Sequence, residues 1–213
     1  MGVQERKARE FQRREREILD AALRLFDRDD WQSVTIEQIA EAAEIGKGTI
    51  YKHFANKDEI YARLDIDFHR RMLEQVQQID PKLDVVERLR AIIRVYLDAH
   101  HVGREYRRVV QYCERDDFRR GLSEPTRREC DRLEAALVER LYGVLQDGVS
   151  QGIFRSRPIP TMAYGVIAAI YGSVRLLWGG YNVGADTEGS VEELIRFILA
   201  GVMHQESQAD ARK

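Results

Sequence analysis

Cysteine and long apolar runs are scarce in this chain of 213 residues, and each shortage excludes a class of protein. Two cysteines, Cys113 and Cys130, cannot build the disulfide framework of a small secreted domain. No apolar run approaches the roughly 20 residues that span a bilayer, and the charged N-terminus lacks the apolar core of a secretory signal. We therefore expect a cytoplasmic protein with reduced thiols and no membrane partner.

Strand patterns, glycine-rich phosphate loops and internal repeats are also missing. The few prolines instead separate long stretches in which apolar residues recur every three or four positions, the period of a helix. The pattern predicts an all-α fold. Beyond the first 56 residues it places helices over residues 57–79, 84–101, 106–117, 124–152, 160–179 and 191–204.

An overall positive charge, which many nucleic-acid-binding proteins carry, is absent as well. The formal net charge is -2 and the isoelectric point is about 6.3. Basic residues crowd the N-terminus among acids: Arg6, Lys7, Arg9, Arg13, Arg14 and Arg16 lie between Glu5, Glu10, Glu15 and Glu17. This run is typical of a solvated, salt-bridged helix or a frayed tail. The alternative is an arm that contacts phosphates.

No constellation for catalysis or metal binding is evident. His100 and His101 are adjacent, so on a helix their side chains point about 100° apart and rarely share one ion. No HxxxH or CxxC spacing joins them to Cys113, Glu114 or Cys130, and no signature pairs a cysteine with a histidine. The cysteines are more typical of small buried residues, although oxidant sensing by the pair stays open. We expect no cofactor and no metal.

The most informative segment is short and free of acids. From Ile45 to Lys57 there is no aspartate or glutamate, although 33% of the chain is charged. Ile50 and Phe54, four residues apart, would anchor a helix over residues 46–54 in a core, and the remaining side chains would face outward. Such a helix suits the surface of a polyanion. The alternative is an ordinary solvated helix face.

Capping residues around this segment predict a helix-turn-helix. Thr35, followed three residues later by Gln38, forms a capping-box pattern before a helix over residues 36–42. The connection to the next helix is short enough to be a tight turn. Upstream, apolar residues over 18–26 mark a longer helix that covers the pair, and downstream Asn56 caps the helix that follows.

Residues 18–64 resemble the N-terminal domain of TetR-family transcriptional regulators. The matching pieces are ILDAALRLF, TIEQIAEAA, GKGTIYKHF and NKDEI, in this order. Two departures concern the turn, where the family usually has glycine in place of Glu44 and serine in place of Gly46. We expect Glu44 to adopt a left-handed conformation at a cost of about 1 kcal/mol. We expect Gly46 to cap the next helix without a side-chain hydroxyl.

The resemblance implies a homodimer that binds a double-stranded DNA operator and a small-molecule effector. It divides the chain into a helix-turn-helix DNA-binding domain over 1–56 and a larger helical ligand-binding and dimerisation domain over 57–213. Lysines on the outward face would contact phosphates, and the polar side chains between them phosphates or base edges. The residues expected to contact DNA are Thr35, Lys47, Gly48, Thr49, Tyr51, Lys52, His53 and Lys57.

The last two helices are the expected dimer interface, because in the family they pair with their copies as a four-helix bundle. The helix over 160–179 carries Arg175 as its only charge, and its small residues allow close backbone approach. The expected interface residues are Ala168, Gly172, Ile195 and Leu199. The alternative is that the apolar helix is the central core helix of a monomer.

Aromatic residues with a few polar tips in the middle helices are typical of a ligand cavity, and equally of an ordinary helical core. The expected lining is Tyr96, His100, Tyr112, Cys113, Leu137, Leu141, Tyr142, Arg175 and Trp178. Arg175, mid-helix among apolar residues, needs a partner. That partner is Glu114 or another acid, the second subunit, or the carboxylate of a ligand. We expect a mostly apolar or aromatic effector in a closed cavity, with Arg175 as its anchor or as a structural ion-pair partner.

The predicted function is a ligand-responsive transcriptional regulator, most simply a repressor that an effector releases from its operator. Two alternatives are an all-helical enzyme and a helical adaptor that binds only protein. The enzyme needs a nucleophile–base pair or a metal cluster, and the adaptor has no use for an acid-free, lysine-studded helix. No motif in the chain identifies the effector, the operator or the regulated genes, or separates repression from activation.

Overall fold

The computed structural model describes residues 2–100, 103–115, 117–179 and 187–204. Within these ranges the all-α prediction is confirmed. The helices, labelled in chain order, are α1 (Val3–Phe26), α2 (Ile36–Ala42), α3 (Lys47–Ile50), α4 (Lys57–Gln77), α5 (Val85–His100), α6 (Arg104–Cys113), α7 (Glu124–Ser150), α8 (Ile159–Trp178) and α9 (Thr187–Val202). Short 3₁₀ turns occupy Trp31–Ser33 and Phe118–Gly121.

The first helix takes in almost the whole charged N-terminal run. Along it, Arg13 pairs with Glu10 at 2.6 Å and with Glu17 at 3.6 Å, and Arg14 pairs with Glu17 at 2.7 Å. These pairs join residues three or four positions apart, as neighbours on one helix face do. The prediction of a solvated, salt-bridged helix is confirmed for this segment.

The chain forms two compact units. One comprises residues 1–68 and 102–131, and the other comprises residues 69–101 and 132–213. This division does not follow the 56/57 boundary predicted from the sequence, because it cuts within α4 and α7 and joins α6 to the N-terminal helices.

Aromatic stacking explains why α6 belongs with the N-terminal helices. Tyr61 of α4 lies between the rings of Phe26 in α1 and Tyr112 in α6, with centroids 4.1 Å and 3.6 Å away. The Arg108 guanidinium of α6 donates a hydrogen bond to the Phe26 carbonyl oxygen at 2.7 Å. Burial raises the pKa of Tyr61 and Tyr112 above the ordinary tyrosine range, so both rings stay neutral.

In the second unit, α5, α8 and α9 pack against one another. Ile93 of α5 and Ile195 of α9 are fully buried in this core. At its edge Arg90 and Arg94 of α5 both pair with Glu192 of α9, the former at 3.1 Å. The apolar inner faces of these helices therefore face one another within a single chain.

Candidate functional site

The turn between α2 and α3 is fixed at both ends by local hydrogen bonds. Thr35 caps α2: its hydroxyl oxygen accepts from the Gln38 N–H at 3.2 Å, and the Gln38 side chain accepts from the Thr35 N–H at 2.9 Å. The capping box predicted from the sequence is therefore confirmed.

At the other end of α2, Glu44 has a φ of 55°, so the predicted left-handed conformation is confirmed. The Ile45 N–H bonds to the Ala40 carbonyl at 2.9 Å, and the Glu44 N–H bonds to the Glu41 carbonyl at 3.0 Å. This pair of bonds is the Schellman arrangement, in which glycine usually takes the left-handed position. Glutamate occupies this position here, with the expected cost of about 1 kcal/mol relative to glycine.

The helix after the turn is shorter than predicted but stays helical in its bonding. Gly46 caps α3 in an extended conformation and gives no side-chain bond, as expected. After Ile50, the N–H groups of His53 and Phe54 both bond to the Ile50 carbonyl at 2.9 Å, which continues the turn to Phe54. Ile50 is 0% and Phe54 is 5% exposed. These two residues anchor the segment, as the spacing predicts.

Anchoring on one side leaves the other side open. Lys47, Gly48, Tyr51 and Lys52 are exposed, and Thr49 is half-buried at the same surface. We call these five residues the α3 face. The Lys52 side chain forms no ion pair or hydrogen bond with any residue that the structure describes. Tyr51 is 49% exposed, so its ring and hydroxyl are accessible at this surface.

The segment from Ile45 to Lys57 contains no acid, but an acidic side chain from another helix contacts it in the structure. The Lys47 ammonium pairs with Glu37 from α2, which no residue within the segment reveals. This hydrogen bond raises the pKa of Lys47 and lowers the pKa of Glu37. Because both side chains are exposed, solvent and salt screen the pair, and a phosphate can compete with it.

The sequence analysis predicted that Lys57 contacts DNA, but in the structure its ammonium does not point freely to solvent. Its ammonium donates to the carbonyl oxygens of Val34 at 2.9 Å and Gln32 at 3.3 Å. It also lies 5.5 Å from the centroid of the Tyr112 ring. Burial lowers the pKa of this ammonium. Lys57 therefore ties α4 to the loop after α1, and this geometry argues against a phosphate contact.

His53 also differs from the prediction that it faces outward. Its ring is half-buried and stacks on Phe11 of α1, with centroids 4.0 Å apart. Burial lowers the pKa of the His53 imidazole, so the ring is neutral at pH 7. The residues next to Phe11 in the sequence do not indicate that it contacts His53. Its position seven residues before the buried Ile18 is the one sequence feature that places it on this side of α1.

An apolar stripe lies on the outer side of α8. Four large residues of α8 and α9 are exposed in the single chain: Tyr164 (76%), Tyr171 (37%), Leu176 (54%) and Phe197 (73%). Ala168 and Gly172 lie between the α8 members at helical spacing and are also exposed. We call these six residues the outer stripe. A second stripe on α8, which includes Val166 and Ile170, is buried within the chain.

Of the four predicted interface residues, two are exposed and two are buried. Ala168 and Gly172 lie on the outer stripe, where a second copy can reach them. Ile195 is 0% and Leu199 is 3% exposed, so both are buried inside their own chain and are wrong as interface residues. The two faces of α9 are both apolar, so its sequence alone does not say which face the rest of the chain covers. Phe197 occupies the open face instead.

The predicted ligand-lining residues fall into both units. Tyr112 and Cys113 lie in the first unit, where the Tyr112 hydroxyl donates to Asp58 at 2.7 Å. The others lie in the second unit, where Tyr96, His100, Leu137 and Leu141 are buried, Tyr142 and Trp178 are half-buried, and Arg175 is exposed.

Three of these second-unit residues form a contact group together with Tyr171. The Trp178 indole N–H donates to the His100 carbonyl at 3.2 Å, and the ring centroids of these residues are 6.0 Å apart. The His100 ring nitrogen lies 2.6 Å from the Tyr96 carbonyl oxygen. Tyr171 packs edge-on against His100 at 5.9 Å. The sequence analysis named Tyr96, His100 and Trp178 as cavity lining and omitted Tyr171; the structure shows the contacts among these residues.

Arg175 does not lie in the middle of a buried helix. It lies in the last turn of α8, exposed, and close to Gly172 and Leu176 of the outer stripe. The expectation that Arg175 is buried among apolar residues is therefore wrong.

The structure also describes both cysteines and one of the two adjacent histidines. Cys113 and Cys130 are not joined as a disulfide. Burial raises the pKa of the Cys113 thiol, which keeps it protonated and weakly nucleophilic. In the described ranges no three His, Cys, Asp or Glu residues are grouped as metal ligands. His101 lies outside the described residues.

Comparison with known proteins gives a consistent picture. A family model for bacterial regulatory proteins of the tetR family matches residues 18–64, and one for a tetracyclin repressor-like C-terminal domain matches residues 82–175. The transcriptional repressor KstR2 of Mycobacterium tuberculosis is 26% identical over 202 residues, which cover 93% of this chain and 97% of the relative. The transcriptional activator FasR of Mycolicibacterium smegmatis is 24% identical over 88% of this chain and 82% of its own.

The two family models together match well over half of the chain, in the same order as in the family. The chain belongs to the TetR family. A tetR-family regulatory protein from Rhodococcus RHA1 has the same fold, with a TM-score of 0.73 at 19% identity over 89% of this chain and 97% of that chain.

Membership in the TetR family makes this chain a ligand-responsive, DNA-binding transcriptional regulator and not an enzyme. Regulators of the family bind DNA operators and small-molecule effectors and act as dimers.

Among the residues that the structure describes, one helix is long and apolar enough to cross a membrane. The stretch Ile159–Leu176 of α8 has this composition, and 28% of it is buried inside the chain. Such a helix is weak evidence for a membrane span. Part of the exposed apolar side of this helix is the outer stripe.

Proposed function

We propose that this TetR-family chain is a repressor that binds its operator as a dimer and leaves it when a small, mostly apolar or aromatic effector binds the second unit. The observation that carries the DNA-binding half is the α3 face, in which exposed donors project from a segment that buried Ile50 and Phe54 hold in place. The observation that carries dimerisation is the outer stripe of α8 and α9.

On DNA, the α3 face supplies most contacts. Lys52 reaches a phosphate, and Lys47 exchanges Glu37 for one. Thr49 and Tyr51 donate to phosphates or base edges, and Gly48 lets the backbone approach closely. Nothing lies within 4 Å of the position a Gly48 side chain would take.

Thr35 and Lys57, which the sequence also assigned to DNA, lie outside the α3 face. Thr35 uses its hydroxyl oxygen as the acceptor of the α2 cap, which leaves its hydroxyl proton to donate to a phosphate oxygen. Lys57 is not part of the proposed surface, because its ammonium is held by loop carbonyls.

The DNA-binding half is tested by selecting duplexes from a random library with the purified chain and measuring their affinity against salt. Lys52→Ala should reduce the magnitude of the salt slope by about 0.9 for each phosphate that is no longer neutralised, or about 1.8 for a dimer. The control is Lys82→Ala, which removes an exposed lysine from the loop between α4 and α5. The proposal fails if no duplex is selected, or if Lys52→Ala and Lys82→Ala bind like the parent.

For the effector, the supporting feature is the contact group of Tyr96, His100, Tyr171 and Trp178. It joins aromatic rings to two backbone carbonyls within the second unit. A ligand that packs against these rings is mostly apolar or aromatic, because both carbonyl oxygens already have partners in the Trp178 indole and the His100 ring. An effector changes DNA binding only if it prefers one conformation, and useful switching requires about a 10²-fold preference, roughly 3 kcal/mol.

A thermal-shift screen of aromatic acids, aliphatic acids and neutral aromatics tests this part. A hit should release the selected duplex, and Trp178→Ala should abolish that release while keeping DNA affinity. Arg175→Met is the matched control, because Arg175 is exposed in the same helix turn and should not alter the response. The proposed site is wrong if Arg175→Met loses the response and Trp178→Ala keeps it.

Repression is proposed on the basis of KstR2, which is named a repressor and matches nearly the whole chain. FasR, named an activator, matches less of its own length. A reporter gene placed behind the selected duplex should be silent in cells that contain the protein and active in cells that lack it. The same proposal places the protein in the cytoplasm, where the operator is.

A further inference from the structure

An apolar groove of about 430 Å³ runs between α8 and α9 in the second unit. Its floor consists of small and branched residues, among them Gly165, Val166 and Ala169 of α8 and Ile198 and Gly201 of α9. Nothing lies within 4 Å of the position that a side chain at either glycine would take. Pockets that hold small molecules measure on the order of 300–1,000 Å³, so this groove has room for one.

Arg155 is mounted at the end of the groove where α8 begins and α9 ends. Its backbone N–H donates to the Val202 carbonyl at 2.9 Å, and the His204 N–H donates to the Ile153 carbonyl at 2.9 Å. The Arg155 side chain is half-buried, and its Nε donates to the Met203 carbonyl at 2.9 Å. These three bonds hold the guanidinium in one orientation beside the groove.

The positive charge at this end of the groove has no counterpart among the described residues. The terminal nitrogens of Arg155 have no partner there, and neither does the exposed side chain of Arg157, which also lines the groove. No described aspartate or glutamate lines it. A half-buried charge costs free energy until an opposite charge pairs with it. The planar fork of an arginine matches the two oxygens of a carboxylate.

The groove is distinct from the other surfaces of the second unit. Thr161, which lines it, lies in the first turn of α8, whereas Trp178 of the contact group lies in the last turn. A helix of 20 residues separates these turns by roughly 25–30 Å. Of the outer stripe, Phe197 alone lines the groove.

We propose that this groove binds an amphipathic anion, a molecule with an apolar chain and one carboxylate. The chain lies on the small residues between α8 and α9, where its burial drives binding. The carboxylate accepts charge-assisted hydrogen bonds from Arg155, with Arg157 adding a second positive charge. This is a second ligand site, separate from the proposed effector site, and it requires no DNA.

Calorimetric titration of the full-length chain with octanoate tests the site. Octanoate should bind with one molecule per protomer, and octan-1-ol and acetate, which lack the charge and the chain respectively, should bind at least about 10-fold more weakly. Arg155→Gln should weaken octanoate binding by about 10-fold or more, because a charge-assisted hydrogen bond is lost. Arg157→Gln, which leaves the mount intact, should weaken it by a smaller factor. Arg196→Gln is the matched control, since it removes the same charge from α9 outside the groove.

Filling the groove provides a second test that changes no charge. Gly165→Leu places a side chain in the open space of the groove and should abolish octanoate binding. The matched control is Gly143→Leu, which makes the same change at an exposed glycine of α7 that also has open space around it and does not line the groove. Circular dichroism and sedimentation should show that both variants keep the helices and the dimer of the parent.

Four results would overturn the inference. Octanoate fails to bind at millimolar concentration, or binds no better than octan-1-ol. Arg196→Gln weakens binding as much as Arg155→Gln, so that only diffuse charge acts. Trp178→Ala abolishes binding while Arg155→Gln keeps it, which places octanoate at the contact group. Gly165→Leu keeps octanoate binding, or weakens the dimer, in which case the second copy occupies the groove. None of these measurements includes DNA, so failure of the proposed function is distinguished from failure of this site.

Discussion

Replacing Phe197 by alanine tests the outer stripe as the dimer interface. Phe197 is 73% exposed in the single chain and lies on the open face of α9. A ring exposed to this extent contributes little to the stability of one chain, so its removal should leave the fold intact. In a dimer with two-fold symmetry the ring is buried twice, once in each copy.

The expected loss follows from the area that the dimer removes from water. Fully burying a phenylalanine side chain is worth roughly 1.5–3 kcal/mol. Alanine retains part of that surface, so the change costs about 1.5 kcal/mol for each copy and about 3 kcal/mol for the dimer. The dimer dissociation constant should then rise by about 10²-fold.

Sedimentation of a dilution series from nanomolar to micromolar protomer measures this constant. The control is Leu83→Ala, which removes a 43%-exposed apolar side chain from the loop between α4 and α5 and should leave the constant unchanged. Circular dichroism of both variants checks that the helices are retained. The assignment of the outer stripe is refuted if Phe197→Ala dissociates like the parent, or if Leu83→Ala weakens the dimer as much.

Two stability predictions concern the first unit. Lys57→Met should lower the free energy of unfolding by about 1–2 kcal/mol, because two loop carbonyls lose a charged donor. It should leave the salt slope of DNA binding unchanged. A shallower slope would show that Lys57 contacts a phosphate after all. Glu59→Gln should cost about 2 kcal/mol in urea unfolding at fixed protomer concentration, because buried Glu59 accepts from the Ser123 N–H at 2.5 Å and the Thr126 hydroxyl at 2.6 Å. Exposed Glu139→Gln on α7 is the control, and equal stability of the two variants would contradict the second prediction.

The helix-turn-helix was largely predictable from sequence because its determinants are local. The Thr35 cap, the left-handed Glu44 and the burial of Ile50 and Phe54 each depend on residues within about four positions along the chain. The end of α3 was less predictable, because the last turn of a helix often mixes 3₁₀ and α hydrogen bonds, and its final residue is then poorly defined.

The side-chain partners in the candidate site were not predictable in the same way. Glu37 faces Lys47 from another helix, Phe11 covers His53 from a helix more than 40 positions away, and loop carbonyls hold Lys57. A count of charges within the segment detects none of these interactions. Each removes or redirects a donor that the sequence had assigned to DNA.

The sequence by itself determined which segments are helical, where the turn lies and which residues anchor it, because backbone hydrogen bonds and caps join near neighbours. Only the tertiary structure decided which apolar face of a helix is covered. On α9 both Ile195 and Phe197 are apolar, yet Ile195 is 0% and Phe197 is 73% exposed. Apolar area is favourable to bury against any complementary surface. The choice between core and interface therefore depends on where the other helices lie, and not on the residue itself.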